Sequence, residues 1–225
     1  MRQIIVGLLL IFLCTAIYPA YKLGDKLYVH AQGEVNLRNK AETKSTILTT
    51  VRYGQKVRVI GNFQKRDTIS GMRGHWLEVD YGGLHGYVFD GFLSSLRTVE
   101  KSDENDIVIY AQSLKKLAKV GQEVLGKNAS ATRKITFYNV RPEKIFLVIQ
   151  GLQKNYLSGL TLSKTRTKHR FPKKGYNVTV KVLRGKGIIQ SVFIEIVWIK
   201  SGGSVEYTMV KQADNTELIR VMYLP

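Results

Sequence analysis

The sequence predicts a mainly β protein of two parts, a small β-barrel followed by an α+β domain of one helix plus an antiparallel meander sheet. Three observations carry this reading. Between residues 26 and 97, apolar and polar residues alternate in short runs cut by glycine turns. One stretch, 107–126, repeats its apolar residues at spacings of three and four. From residue 176 onward the alternation returns, again in runs joined by short turns.

Taken in order, residues 1–20 have the three parts of an export signal. Arg2 starts it, an apolar run covers 4–17, and small residues stand at Ala16 and Ala20. The run is shorter than the ~20 residues a membrane-crossing helix needs and fits a signal peptide. Cys14, the one cysteine of the chain, lies inside it. A lipoprotein signal would acylate that cysteine, but it wants a small residue where Leu13 stands. An uncleaved membrane anchor or a buried N-terminal segment would also fit the apolar run. After cleavage the chain has neither disulfide nor thiol, as expected of a protein of the periplasm or of the cell envelope and its exterior.

In the barrel, 26–97, Val35 and Leu37 alternate with polar neighbours, and Lys56 to Ile60 (KVRVI) does so after the turn Tyr53-Gly54-Gln55. Trp76-Leu77-Glu78-Val79 is joined to Gly86-Tyr87-Val88 by the hairpin Tyr81-Gly82-Gly83-Leu84. Residues 98–104 read as a linker, and 105–225 as a basic α+β domain. Ser102 with Asp103, Glu104 and Asp106 supplies an N-cap and an acidic first turn to the predicted helix, 107–126. Residues 135–138 and 145–149 are strand-like, with Arg141-Pro142 as the turn between them. Val178, Val180 and Val182 then open a four-stranded meander with turns at 184–187, 201–204 and 214–215. Its run 188–199 is apolar on both sides apart from Gln190, Ser191 and Glu195, which predicts a central strand covered on both faces.

Chemistry-bearing residues are sparse. Without Cys14 there is no thiol for a Cys-His peptidase. The histidines His30, His75, His85 and His169 are scattered rather than clustered as zinc ligands, although His75 and His85 fall on two strands of one hairpin. Glu195 is the one carboxylate inside an apolar strand; with Glu143 and Glu206 it leaves a carboxylate or serine site open. The glycines sit in turns, so no phosphate loop is read, and no cofactor or metal is expected.

Several barrel residues carry a resemblance. Val35-Asn36-Leu37-Arg38 is followed by a polar stretch, Ile47-Leu48, Gly54 and Val57-Arg58-Val59. Trp76-Leu77-Glu78-Val79, Gly86-Tyr87-Val88 and Gly91-Phe92-Leu93 complete the series. In order and spacing this resembles the bacterial SH3-like (SH3b) family over 26–97. Two departures stand out: Tyr87 replaces a frequent Trp, and 63–74 exceeds the usual distal loop and carries Lys65, Arg66 and Arg73. The resemblance implies a non-catalytic binding module for peptidoglycan peptides or envelope proteins. It places the ligand in a groove among Asn36, Trp76, Tyr81, Tyr87 and Phe89, of which Trp76 and Tyr87 could instead fill the core. Residues 105–225 resemble no family.

The net charge of +18 predicts an anionic partner. Residues 26–97 hold 11 basic against 6 acidic residues and 98–225 hold 22 against 10, so most of the excess lies in the second half. It peaks in KTRTKHRFPKK, 164–174, with Lys164, Arg166, Lys168, Arg170, Lys173 and Lys174 and no acid. Export removes the nuclear-signal reading, and only Phe171 is there to stack a base, which argues against nucleic acid. If extended, Lys164, Arg166, Lys168 and Arg170 line one side of a strand. That row is either a solvated edge whose cations discourage aggregation or a contact for anionic polymer or lipid headgroups, at ~1 kcal/mol per basic residue for lipid. The expectation is an exported binding or scaffold protein of the bacterial envelope. The alternative is a cell-wall hydrolase with an unrecognised site in the second half.

Overall fold

A computed structural model describes residues 21–126, 130–162, 165–171, 174–186 and 188–223. The export segment, Lys164 and Lys173 lie outside these residues. The barrel is built from β1 (Lys26–Val29), β2 (Glu34–Arg38), β3 (Ile47–Arg52), β4 (Lys56–Ile69), β5 (Met72–Tyr81), β6 (Leu84–Phe89) and β7 (Leu93–Ser94). They pair in the order β3-β2-β6-β5-β4-β1-β7. The long β4 pairs with β5 from Arg58 to Ile69, with register shifts between Val59 and Phe63 and between Phe63 and Arg66, and its first residues, Lys56 to Arg58, also pair with β1 on the other edge. Gly82 and Gly83, with φ of +62° and +88°, make the two-residue turn from β5 to β6. Leu27, Val29, Leu37, Val51, Val57, Leu77, Val79, Val88 and Leu93 fill the interior.

The stretch 63–74 is no loop. It continues β4 and β5 as a hairpin arm that turns at Ser70-Gly71 and reaches the second half.

The second half comprises α1 (Ile107–Ser113), β8 (Ala118–Leu125), β9 (Ser130–Phe137), α2 (Pro142–Leu152), α3 (Lys154–Leu157), β10 (Arg166–Phe171), β11 (Tyr176–Gly185), β12 (Ile188–Trp198), β13 (Ser204–Gln212) and β14 (Asn215–Tyr223). The strands pair antiparallel in the order β10-β11-β12-β13-β14-β9-β8. The expected meander is therefore the centre of a larger sheet.

The structure corrects three expectations. The helix predicted over 107–126 stops at Ser113, because Lys115 takes a left-handed φ of 51° and Ala118 and Val120 then pair with Phe137 and Ile135. Its cap is Asp106, whose side chain accepts from the Val108 N–H at 2.6 Å, and not Ser102. The strand predicted over 145–149 is α2. Pro142 sits in its first turn with Glu143, as helix starts favour, and the apolar run is long because the helix is buried on nearly every side. Finally, β12 is covered on one face only. Val192, Ile194 and Ile196 are buried toward α2, while Phe193, Glu195 and Val197 are half-exposed.

A second core joins the two halves. It runs from Met72, Trp76 and Phe89 on the outside of the barrel through α1 and α2 to Val180, Ile194, Tyr207 and Leu218 on the sheet. The segment predicted as a linker is tied down within it. Arg97 grips the buried Asp103 carboxylate with two bonds, of 2.8 and 2.5 Å, and accepts a Tyr110 hydroxyl bond on its carbonyl.

Candidate functional site

A groove of about 260 Å³ opens on the barrel beside β2. Asn36 alternates outward from β2 while Val35 and Leu37 turn inward. Trp76 on β5 and Phe89 on β6 are directly opposed, with ring centroids 6.1 Å apart, and Phe92 packs edge-on to Phe89 at 5.7 Å. Trp76 is 2% and Phe89 4% exposed, so these rings are the floor of the groove and present edges only. Trp76 Nε1 donates to Asp67 Oδ2 on the hairpin arm at 3.3 Å. Glu34, Asn36, Arg38 and Thr43 form a polar rim, and Ile69 closes one side. Arg38 is braced by donating from Nη1 to the Ser45 carbonyl at 2.6 Å. The volume lies below the ~300 Å³ at which drug-sized pockets begin; it suits a small side chain or a short peptide.

Of the five residues expected there, Asn36, Trp76 and Phe89 are brought together. Tyr81 is opposite Leu84 at the hairpin turn and packs on the barrel interior. Tyr87 is opposite Glu78 and Arg38 and packs on the joint core, so neither tyrosine lines the groove. Arg38 and Phe92 were within reach of sequence reasoning, since they belong to the same motifs as Asn36 and Gly91. Ile69 was not, because only the arm's length brings it over.

In the basic cluster, Arg166, Lys168 and Arg170 belong to β10, an edge strand, opposite Lys181, Thr179 and Asn177 of β11. Lys174 follows it, exposed. The register separates His85, opposite Asp80, from His75, which lies five residues further along β5, so the two are not neighbours. Glu195 and Glu206 are directly opposed on β12 and β13. Partial burial raises the Glu206 carboxyl above its ordinary range, the Glu195 charge raises it further and Lys181 opposes both.

A buried polar cluster joins the halves, and sequence reasoning missed it. Lys144, the one cation of α2 beyond Arg141's cap position, is 3% exposed and donates from Nζ to the carbonyls of Asp90 at 2.5 Å and Gly91 at 3.0 Å. Burial, reinforced by the nearby Arg141 charge, lowers its pKa to about 8. The Asp90 carboxylate accepts from the His75 N–H at 2.7 Å. Arg141 pairs with Glu143 at 3.2 Å. A cation within the run PEKIFLVIQ was the available signal.

No curated protein matches the chain. The solved tesB protein of Mycobacterium avium subs paratuberculosis aligns with 90% of this chain and 78% of its own at 8% identity. Its TM-score of 0.21 is too low to bear on fold or function. Residues 33–94 match the family described as Bacterial SH3 domain. The barrel of this chain, with its groove around Asn36, is a bacterial SH3 domain.

Proposed function

We propose that this chain is an exported, non-catalytic binding or scaffold protein of the bacterial envelope, whose SH3 domain holds a peptidoglycan peptide or a segment of an envelope protein. The observation that carries this reading is the groove itself: a polar rim of Glu34, Asn36, Arg38 and Thr43 over an aromatic floor, on the part of the chain that matches a family of binding modules. Backbone amides of an extended peptide suit the rim, and a small side chain suits the floor. Export rests on the signal-like segment 1–20.

Retention of the full chain on purified peptidoglycan sacculi tests the proposal. Asn36→Ala and Thr43→Trp, the second filling the mouth, are expected to lower retention at least fivefold without moving the melting temperature. Retention unchanged in both, or absent in the parent chain, would sink the wall-peptide reading. The hydrolase reading has one observation in its favour, the facing Glu195 and Glu206 with the raised Glu206 carboxyl. Release of soluble fragments from sacculi, lost in Glu206→Gln, would establish it instead.

A further inference from the structure

A second and larger cleft, of about 690 Å³, lies between the hairpin arm and the second half. Arg66 and Arg73 come from the arm, Arg141 from the cap of α2 and Arg184 from the end of β11. Against four guanidinium groups stand two carboxylates, Asp67 and Glu143. Ile188 and Ile189 form an apolar wall. We propose that this cleft binds a phosphorylated polyol or sugar.

The chemistry follows from the lining. Guanidinium groups match phosphate oxygens in charge and in their forked geometry. The two carboxylates accept hydroxyl hydrogens from the same ligand, and the isoleucines take its carbon skeleton. The cleft falls within the ~300–1,000 Å³ range of small-molecule sites. In the lining, cations outnumber carboxylates two to one, so the cleft is net positive and favours an anionic ligand.

The arginines are also positioned. Arg66 Nε lies 3.3 Å from the His75 ring, Arg141 is 3.2 Å from Glu143, and Arg184 donates to the Leu162 carbonyl. Their combined field is felt at His75. Burial lowers its pKa first, Asp90 opposes this, and the charges of Arg66, Arg141 and Arg73 all lower it further. The sequence feature behind the site is the stretch 63–74, whose extra length builds the arm that delivers Arg66 and Arg73.

Calorimetric titration of the full chain with glycerol 3-phosphate, inorganic phosphate, glycerate and glycerol tests the assignment. Glycerol 3-phosphate is expected to bind saturably, at least tenfold tighter than the other three. Arg66→Gln and Arg73→Gln, read separately, are each expected to weaken it at least tenfold. Lys200→Gln, which removes the same charge at an exposed position just past β12, is expected to change it less than twofold. Thermal unfolding of each variant separates lost binding from lost fold. No saturable binding, an equal loss in Lys200→Gln, or glycerate binding as tightly as the phosphate would overturn the proposal. Equal affinity for inorganic phosphate would reduce the cleft to an adventitious ion site only and overturn it as well.

Discussion

His30 shows how one buried side chain sets a pH limit. It has no exposed surface, Nε2 lies 2.9 Å from the Leu96 carbonyl, and Nδ1 has no hydrogen-bond partner among the described residues. The neutral ring therefore carries its proton on Nε2, and protonation would put a charge on an unpartnered, buried nitrogen. Burial lowers the pKa to about 4, outweighing the Leu96 bond that raises it, with Lys144 adding to the fall. The unfolded chain binds the proton near pH 6.5, before the folded one does, so stability is complete above pH 6.5 and declines down to pH 4. The expected loss is about 3 kcal/mol. Ring resonances of His30 titrating above pH 6 would contradict this. Lys144 works the same way at the alkaline end. Its folded pKa of about 8 lies below the usual lysine value, so the unfolded chain holds the extra proton and stability rises from pH 8 toward 10. Beyond that the buried Tyr110 and Tyr207 and the half-buried Tyr21, all raised by desolvation, reverse the trend. Lys144→Met should abolish the rise in urea midpoints between pH 8 and 10 and lower stability at pH 7 by about 2 kcal/mol, since two buried carbonyls lose their donor.

At the scale of elements, α1 is short and depends on one residue. Asp106 caps it and also receives Arg220 Nη1 from β14 at 2.8 Å, with Arg220 itself only 7% exposed. Asp106→Ala removes a cap and leaves a buried guanidinium short of its charge partner. A loss of about 2–4 kcal/mol is expected by chemical denaturation; a loss no greater than that of an ordinary cap would show that Glu123, 3.7 Å away, takes over the pairing. The hairpin arm depends on Gly74. An added Cβ there would lie 2.2 Å from Asp90 Oδ1 and 2.8 Å from the Gly91 nitrogen. Gly74→Ala should displace the arm and cost about 1–3 kcal/mol. An unchanged melting temperature would mean that the turn at Asp90–Phe92 can shift.

For the whole molecule, the joint core makes the two halves one cooperative unit. Trp76 lies in the seam and Trp198 at the end of β12 in the sheet. Tryptophan fluorescence and far-ultraviolet circular dichroism are expected to report one coincident thermal transition. Two transitions separated by several degrees would show that the barrel and the sheet melt apart.

The alternating strands of the barrel, its glycine turns and the meander from β11 to β14 were legible because period-two burial is a local pattern. So was Asn36 in the groove, through the motif around it. Local pattern and composition thus specify a mainly β chain with an SH3 domain and a strongly basic second half. Tertiary structure decided the rest. The spacing in 107–126 fits a helix as well as it fits Ala118 and Val120 facing Phe137 and Ile135, and only the need of β9 for a partner selects the strand. The apolar run of α2 fits a buried strand until two surfaces close on it. Arg66, Arg73, Arg141 and Arg184 are up to 118 residues apart in the chain, and no local pattern announces their meeting. Charge neutrality and hydrogen bonding are settled between distant groups, so a site made at a seam between two halves is fixed only once they pack.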